Sequence, residues 1–227
     1  MTKSQNPFSN PTAIASYADD TPRKVPGLAD LHRMVMLLLS ESAPHAARIL
    51  VVGAGGGMEL KAMAEAQPEW VFTGVDPAAA MLDLARDNIA PFSDRIELIE
   101  GTVDATPSGP YDGAVCLLTL HFLDESERLR TLREIRGRLK PGARLVVAHH
   151  SVASAGAERW LARSMAFANR SGVDWATAKA SAAGMVGRLP LLSPADEEAL
   201  LSHAGFSDVE LFYAAFSFRG WVATASH

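Results

Sequence analysis

Seven short runs dense in Val, Ile, Leu, Phe and Trp recur along the chain, and between them apolar residues return at helical spacing. The runs are RILVVGA, WVFTGVD, RIELIEG, YDGAVCLL, ARLVVAHH, SDVELFYA and FSFRGWVAT, starting at Arg48, Trp70, Arg95, Tyr111, Ala143, Ser207 and Phe216. Their length and β-branched content predict strands. In DESERLRTLREIRGRL, the residues Leu129, Leu132, Ile135 and Leu139 mark one face of a helix. Asp124 is its predicted N-cap, with Glu127 at the third position, and Lys140–Gly142 (KPG) ends it. In SPADEEALLSHAGF, Ser193 caps, Pro194 opens the first turn and Gly205 terminates.

Strands alternating with helices predict an α/β fold, a Rossmann-like seven-stranded and mostly parallel sheet with helices on both faces. The link between the last two runs is too short for a parallel crossover, so the last strand is expected to be antiparallel. Ser151 to Leu192 breaks the rhythm. It predicts a helical insertion after strand five, beyond the carboxyl ends of the strands, where open α/β sheets bind ligands.

Length and composition narrow this. A chain of 227 residues, 48% hydrophobic, suits one domain over 1–227, with an N-terminal helical lid segment (1–45) and the insertion (151–192). The net charge of −5 and the lack of a basic run speak against a nucleic-acid footprint. The lone cysteine, Cys116, excludes disulfides within the chain and any multi-cysteine metal site, and inside a strand it reads as core. MVMLLL, from Met34, is too short to span a bilayer, and the first residues lack the apolar core of a signal peptide. A cytoplasmic protein without a metal or a membrane partner is the expectation.

RILVVGAGGGMEL sets a strand directly before glycines, so the backbone there is bare where a helix begins. A dinucleotide fingerprint would need its third glycine at position 58, which is Met58. Read as G-x-G-x-G, the glycines are Gly53, Gly55 and Gly57; a turn without a ligand is the bland reading. The next strand ends in Asp76, placed to accept from a ribose diol or to cap the following helix.

With VPGLADLHRMVML, GVDPAAAML, LTLHFLDESER, KPGARLVVAHHS and HAGFSDVELFYAAFSFRGWVA, these pieces make the chain resemble the class I S-adenosylmethionine (SAM) methyltransferases. More narrowly, it resembles the carboxy-SAM synthase branch of bacterial tRNA wobble-uridine modification. The resemblance implies SAM as cofactor. Gly53, Ala54, Gly55 and Gly57 would wrap its methionine part, Asp76 its ribose and Met81 its adenine, with Thr102 and Val103 at the adenine edge. Pro77 and Leu117 complete the implied set. The family's acid before the first glycine is Val51 here, and its Asp after the third strand is Thr102, with Asp104 as a substitute. The three carboxylate-binding positions of the synthases align with Leu28, Leu117 and Ala182. A buried extra carboxylate without partners is costly, so plain SAM is expected.

A SAM methyl is already activated, so an enzyme has to align the acceptor and exclude water, adding a base only where the acceptor must lose a proton. Candidate bases are His121, His149 and His150; strand alternation sends the last two to opposite faces. Each also reads as a capping or buried polar residue. Tyr17 belongs to the lid, as a catalytic candidate or a packing aromatic. Arg23, Lys24 and Arg33 could neutralise the methionine carboxylate, and Trp160, Met165, Phe167, Trp175 and Met185 could line an acceptor pocket or pack as core. The expected function is methyl transfer to a small, largely apolar molecule. A carboxy-SAM synthase-like enzyme and a non-catalytic SAM-binding protein stay open, as does a homodimer.

Overall fold

The computed structural model describes residues 16–226. The first part of the expected lid, 1–15, lies outside the described residues. Two helices come first, α1 (Tyr17–Lys24) and α2 (Leu28–Ser40). Strand–helix alternation follows: β1 (Arg48–Val52), α3 (Met58–Ala66), β2 (Val71–Asp76), α4 (Ala79–Ile89), β3 (Ile96–Glu100) and β4 (Tyr111–Leu117). Then come α5 (Glu125–Arg138), β5 (Leu139–His150), the insertion helices α6 (Ala157–Ala168) and α7 (Trp175–Val186), α8 (Pro194–His203), β6 (Phe206–Ala215) and β7 (Phe218–Ala225).

The sheet order is β3-β2-β1-β4-β5-β7-β6, with β7 antiparallel to both of its neighbours. The expected fold class is therefore the observed one. β1 lies between β2 and β4, and its residues Ile49 to Val52 are buried. Strands covered on both faces read as continuous apolar runs, which is why RILVV and YDGAVCL lack alternation. One core joins α2 and α3 to the sheet through Leu31, Val35, Leu60 and Met63. The other packs α5 and α8 on the opposite face through Leu132, Ile135, Leu200 and Trp221.

Both predicted caps form. Asp124 accepts from the Glu127 N–H and Ser193 from the Asp196 N–H, each in a capping box. The helix stops where KPG predicts, α5 ending at Arg138 with Leu139 as its C-cap, but β5 begins earlier than expected, so Lys140, Pro141 and Gly142 lie within it. Pairing Leu139 with Tyr111 ahead of a register shift extends the strand, and Lys140 Nζ stands 2.5 Å from Asp112 Oδ1 on the neighbouring strand. The insertion leaves and returns at one point, with the Val152 N–H donating to Leu192 O at 3.0 Å. Its helices pack on each other, and α1 packs on α6. No helix among the described residues is long and apolar enough to cross a membrane.

Candidate active site

The glycine loop is stapled to the end of β2. Gly53 N–H and Ala54 N–H both donate to Val75 O, at 2.8 and 3.0 Å, and Gly55 N–H donates to Asp76 Oδ2 at 2.9 Å. Asp76 Oδ1 takes the Ala78 N–H, so this carboxylate both holds the loop and opens the turn into α4. Glycine is required at 53. Its φ is +74°, and a Cβ there would lie 2.0 Å from Thr119 Oγ1. At Gly55, with φ +47°, a Cβ would meet Tyr17 Oη at 3.4 Å and Met81 Cε at 3.6 Å. The bare backbone is thus the floor of a space walled by Tyr17 and Met81.

That space is a cavity of about 280 Å³ at the carboxyl ends of β1, β2 and β4, near the lower end of ordinary ligand pockets at roughly 300–1,000 Å³. Of the sequence-predicted residues, it brings together Gly53, Gly55, Asp76, Pro77, Met81, Thr102, Val103, Leu117 and Tyr17. Ala54 and Gly57 stand behind the loop. Ala54 is fully buried, and a Cβ at Gly57 would meet Ala85 Cα at 3.1 Å, so that glycine lets α3 and α4 close up. Asp104 is turned away and exposed, accepting from Thr102 Oγ1 and pairing with Arg130. Arg23, Lys24 and Arg33 are exposed and line no part of the cavity.

Residues not singled out from the sequence complete the wall. Leu118 and Thr119 follow β4, and Leu118 holds φ +55°, a strained conformation for a branched residue. Phe122 and Leu123 come next, and Glu127, Arg130 and Thr131 project from one face of α5. The i, i+3, i+4 spacing of the last three was the signal available for them. Burial, helped by the Glu59 carboxylate, raises the pKa of the Tyr17 hydroxyl, so it stays protonated. Burial also raises that of Asp76, against the two N–H bonds that favour its charge.

The histidines form a separate assembly. His149 and His150 do point to opposite faces, toward Trp221 and Phe218, with ring centroids 5.7 and 3.9 Å apart. His121, just past β4, approaches both, at 6.5 and 5.0 Å. It is 5% exposed, its Nδ1 has no hydrogen-bond partner, and it is not among the cavity-lining residues. Burial and the neighbouring histidines hold its pKa well below the usual value, and burial takes His150 down to about 3. Around them, Arg128 pairs with Glu197, both buried, and Ser164 and Ser217 are 2.6 Å apart with His150 Nδ1 on Ser217 Oγ at 2.8 Å. His149 Nε2 stands 2.9 Å from Glu197 Oε1, in a direction too oblique for a hydrogen bond.

The insertion does not line the cavity either. Met185 packs on Leu161, Ala162 and Ala182, Trp160 lies under Arg163, and Phe167 meets Phe216. Met165 is half-buried. Trp175 is exposed at the rim of a wider, open recess of about 640 Å³ with Arg159, Arg163 and Lys179. Although larger, that recess is a solvated surface groove without buried polar groups. The smaller cavity is the candidate site. Of the three aligned positions, Leu117 lines it, Leu28 is in the core, and Ala182 is in the insertion's own small core. Cys116 is core, its thiol pushed up to about 12 by burial.

Residues 50–145 match the family model described as a methyltransferase domain. A carboxy-S-adenosyl-L-methionine synthase of Campylobacter lari is 30% identical over 130 residues, which are 57% of this chain and 56% of that protein. The chain therefore spans little more than half the length of that relative. Among solved structures, one described as an O-methyltransferase from Nostoc punctiforme superposes with a TM-score of 0.70 at 22% identity, covering 95% of this chain and 61% of that one. Human N-acetylserotonin methyltransferase, solved with SAM, gives 0.63 at 18%, covering 97% and 60%. The fold is the Rossmann-like fold of these methyltransferases.

Proposed function

We propose that this chain, whose residues 50–145 match the methyltransferase-domain family, binds SAM in the cavity at the ends of β1, β2 and β4 and transfers its methyl group to a small, largely apolar acceptor. The observation that carries the reading is the Gly55–Asp76 bond, which brings the glycine loop and the strand-end carboxylate together on one cavity floor. Each Asp76 oxygen takes one backbone N–H and keeps a further lone pair, so the carboxylate can also accept from a ribose diol. Met81, Val103 and Leu117 supply apolar walls for an adenine. The residues present fit the cofactor.

When bound, SAM supplies a methyl already activated for in-line displacement. The chain's part is to orient and to exclude water. The carboxyl ends of the strands, Tyr17 and the insertion are the proposed borders of the acceptor site. The contact of α1 with α6 supports this, because it ties the helix carrying Tyr17 to the insertion. With its pKa raised, Tyr17 acts as a hydrogen-bond donor rather than a base. Catalysis by positioning, without a side-chain base, follows.

The match to the C. lari protein favours a second reading, carboxy-SAM synthesis. Leu28, Leu117 and Ala182 oppose it, because they offer no donor to an extra carboxylate. Calorimetry and mass spectrometry decide. SAM and S-adenosylhomocysteine are expected to bind and NAD not to; Asp76→Ala weakens SAM about ten- to a hundredfold, and Gly55→Val abolishes its binding. Tight NAD binding without SAM binding overturns the reading. Carboxy-SAM in the co-purified ligand shifts it to the second.

A further inference from the structure

Backbone strain in the cavity wall falls on one side chain. Leu118, the first residue after β4, holds φ +55°, a left-handed conformation in which a residue with a Cβ crowds its own backbone. Among the described residues two other non-glycine residues share such a φ, Asp208 and Phe216, and neither lines the cavity. Strain of this kind persists only where the surroundings over-determine it. Three ties do so here. The Leu118 N–H donates to Ala148 O on β5 at 2.6 Å, the Thr119 hydroxyl donates to Leu117 O at 2.9 Å, and the Phe122 N–H donates to Thr119 O at 3.0 Å.

The ties bring Thr119 down onto the glycine loop. A Cβ at Gly53 would lie 2.0 Å from Thr119 Oγ1 and 2.8 Å from its Cβ and Cγ2, so Gly53 is bare to admit Thr119 rather than a ligand. The turn after β4 is thereby locked against the loop after β1. The same conformation fixes the Leu118 side chain, which lines the cavity with Val52 and Leu117 and packs against the core under α2 and α3. This side of the cavity is apolar; the charged residues of the wall, Asp76, Glu127 and Arg130, come from β2 and α5. On the SAM-binding reading above, the ribose falls to Asp76 at the end of β2 and the methionine part to the loop after β1. β4 flanks β1 on the side away from β2. Resting on that reading, we infer that Leu118 is a positioning residue for the sulfonium end of SAM, its strained backbone pressing an apolar group against the methyl to be transferred. The contact keeps water from the methyl and limits the directions in which it can point.

The test is calorimetry of the full chain with SAM and with S-adenosylhomocysteine, which lacks the methyl, alongside thermal melting. Leu118→Ala and Leu118→Gly are expected to bind SAM about tenfold more weakly, while S-adenosylhomocysteine stays within about threefold of wild type. Leu118→Met, which refills the space, should return SAM affinity to within about threefold of wild type. Leu118→Gly is expected to melt about 2–4 °C above Leu118→Ala, because glycine adopts the left-handed conformation without strain. On a relaxed backbone the order is the reverse. A residue that merely fills the core would move both ligands equally or neither. Equal affinity losses for the two ligands, or unchanged SAM affinity in both truncated variants, overturn the inference and leave the cofactor reading intact. So does a Leu118→Gly variant that melts at or below Leu118→Ala. Absence of SAM binding by wild type overturns both.

Discussion

Around the glycine loop, polar groups face an opening; between the insertion and the last strands, they face one another. Asp76 is satisfied by backbone N–H groups of its own and the neighbouring turn, and it still borders a cavity. Arg128, Glu197, His149, His150, Ser164 and Ser217 are all buried, and none of them borders that cavity. The first arrangement leaves acceptors free for a ligand. The second spends them on holding α5 and α8 together through one ion pair, with Arg128 also donating to Leu123 O and Pro190 O. Richness in chemically capable side chains is thus a poor guide to the site here; access to a cavity decides.

The comparison breaks most sharply at the ion pair. Arg128→Met leaves Glu197 charged and buried, which costs about 3–5 kcal/mol. Urea unfolding should show that loss, while the folded fraction keeps SAM affinity within about twofold. The double variant Arg128→Met, Glu197→Leu should recover most of the stability. A lost SAM affinity with stability intact would join the two regions into one site.

The sequence made the first region legible and the second opaque for a physical reason. A glycine loop and the acid some 20 residues on are set by backbone geometry, and strand order alone brings them together; RILVVGAGGG and GVD therefore predicted the cavity floor. Capping boxes are equally local, so Asp124 and Ser193 were readable. The polar cluster depends on side chains from β5, α5, α6, α8 and the β6–β7 turn, whose meeting follows from tertiary packing. For the same reason His121, adjacent to the cavity in sequence, turned out to be packed beside His150, and the aromatic residues of the insertion packed away from the cavity. The start of β5 was misjudged because cross-strand pairing of Leu139 with Tyr111 draws KPG into the strand.

A smaller effect sharpens the contrast through pH. His32, His121 and His150 have folded pKa values below their unfolded ones, His32 at about 4 and His150 at about 3. Below about pH 6.5 the unfolded chain therefore binds more protons at these positions, so stability is present above that pH and falls as the solution is acidified. Glu59, with its raised pKa, works in the opposite sense between about pH 4.5 and 8. Asp76, raised as well, works in the same sense as Glu59, and the three histidines still leave a net loss. Urea unfolding at pH 5.5 should show about 1–3 kcal/mol less stability than at pH 7.5. His150→Asn should flatten that dependence, whereas Asp76→Asn should leave it in place; equal slopes in wild type and His150→Asn would dissociate the cluster from the acid response.

The smallest effect is expected at His121, the residue that topology most recommends as a base. A general base must reach the acceptor's proton, directly or through one water, and losing it slows transfer by about 10²–10⁴. His121 lies beside the cavity but does not line it, and burial among His149, His150 and Phe122 makes it a weak base. Its contribution is to pack the turn after β4, which carries Leu118 and Thr119 into the wall. His121→Asn should therefore leave kcat within about tenfold of wild type, and any change should appear equally in KM and in melting temperature, as expected when a wall loosens. Loss of a hundredfold or more in kcat alone, with a pH profile flattened by the substitution, would move His121 into the reacting centre and erase the division between the two regions.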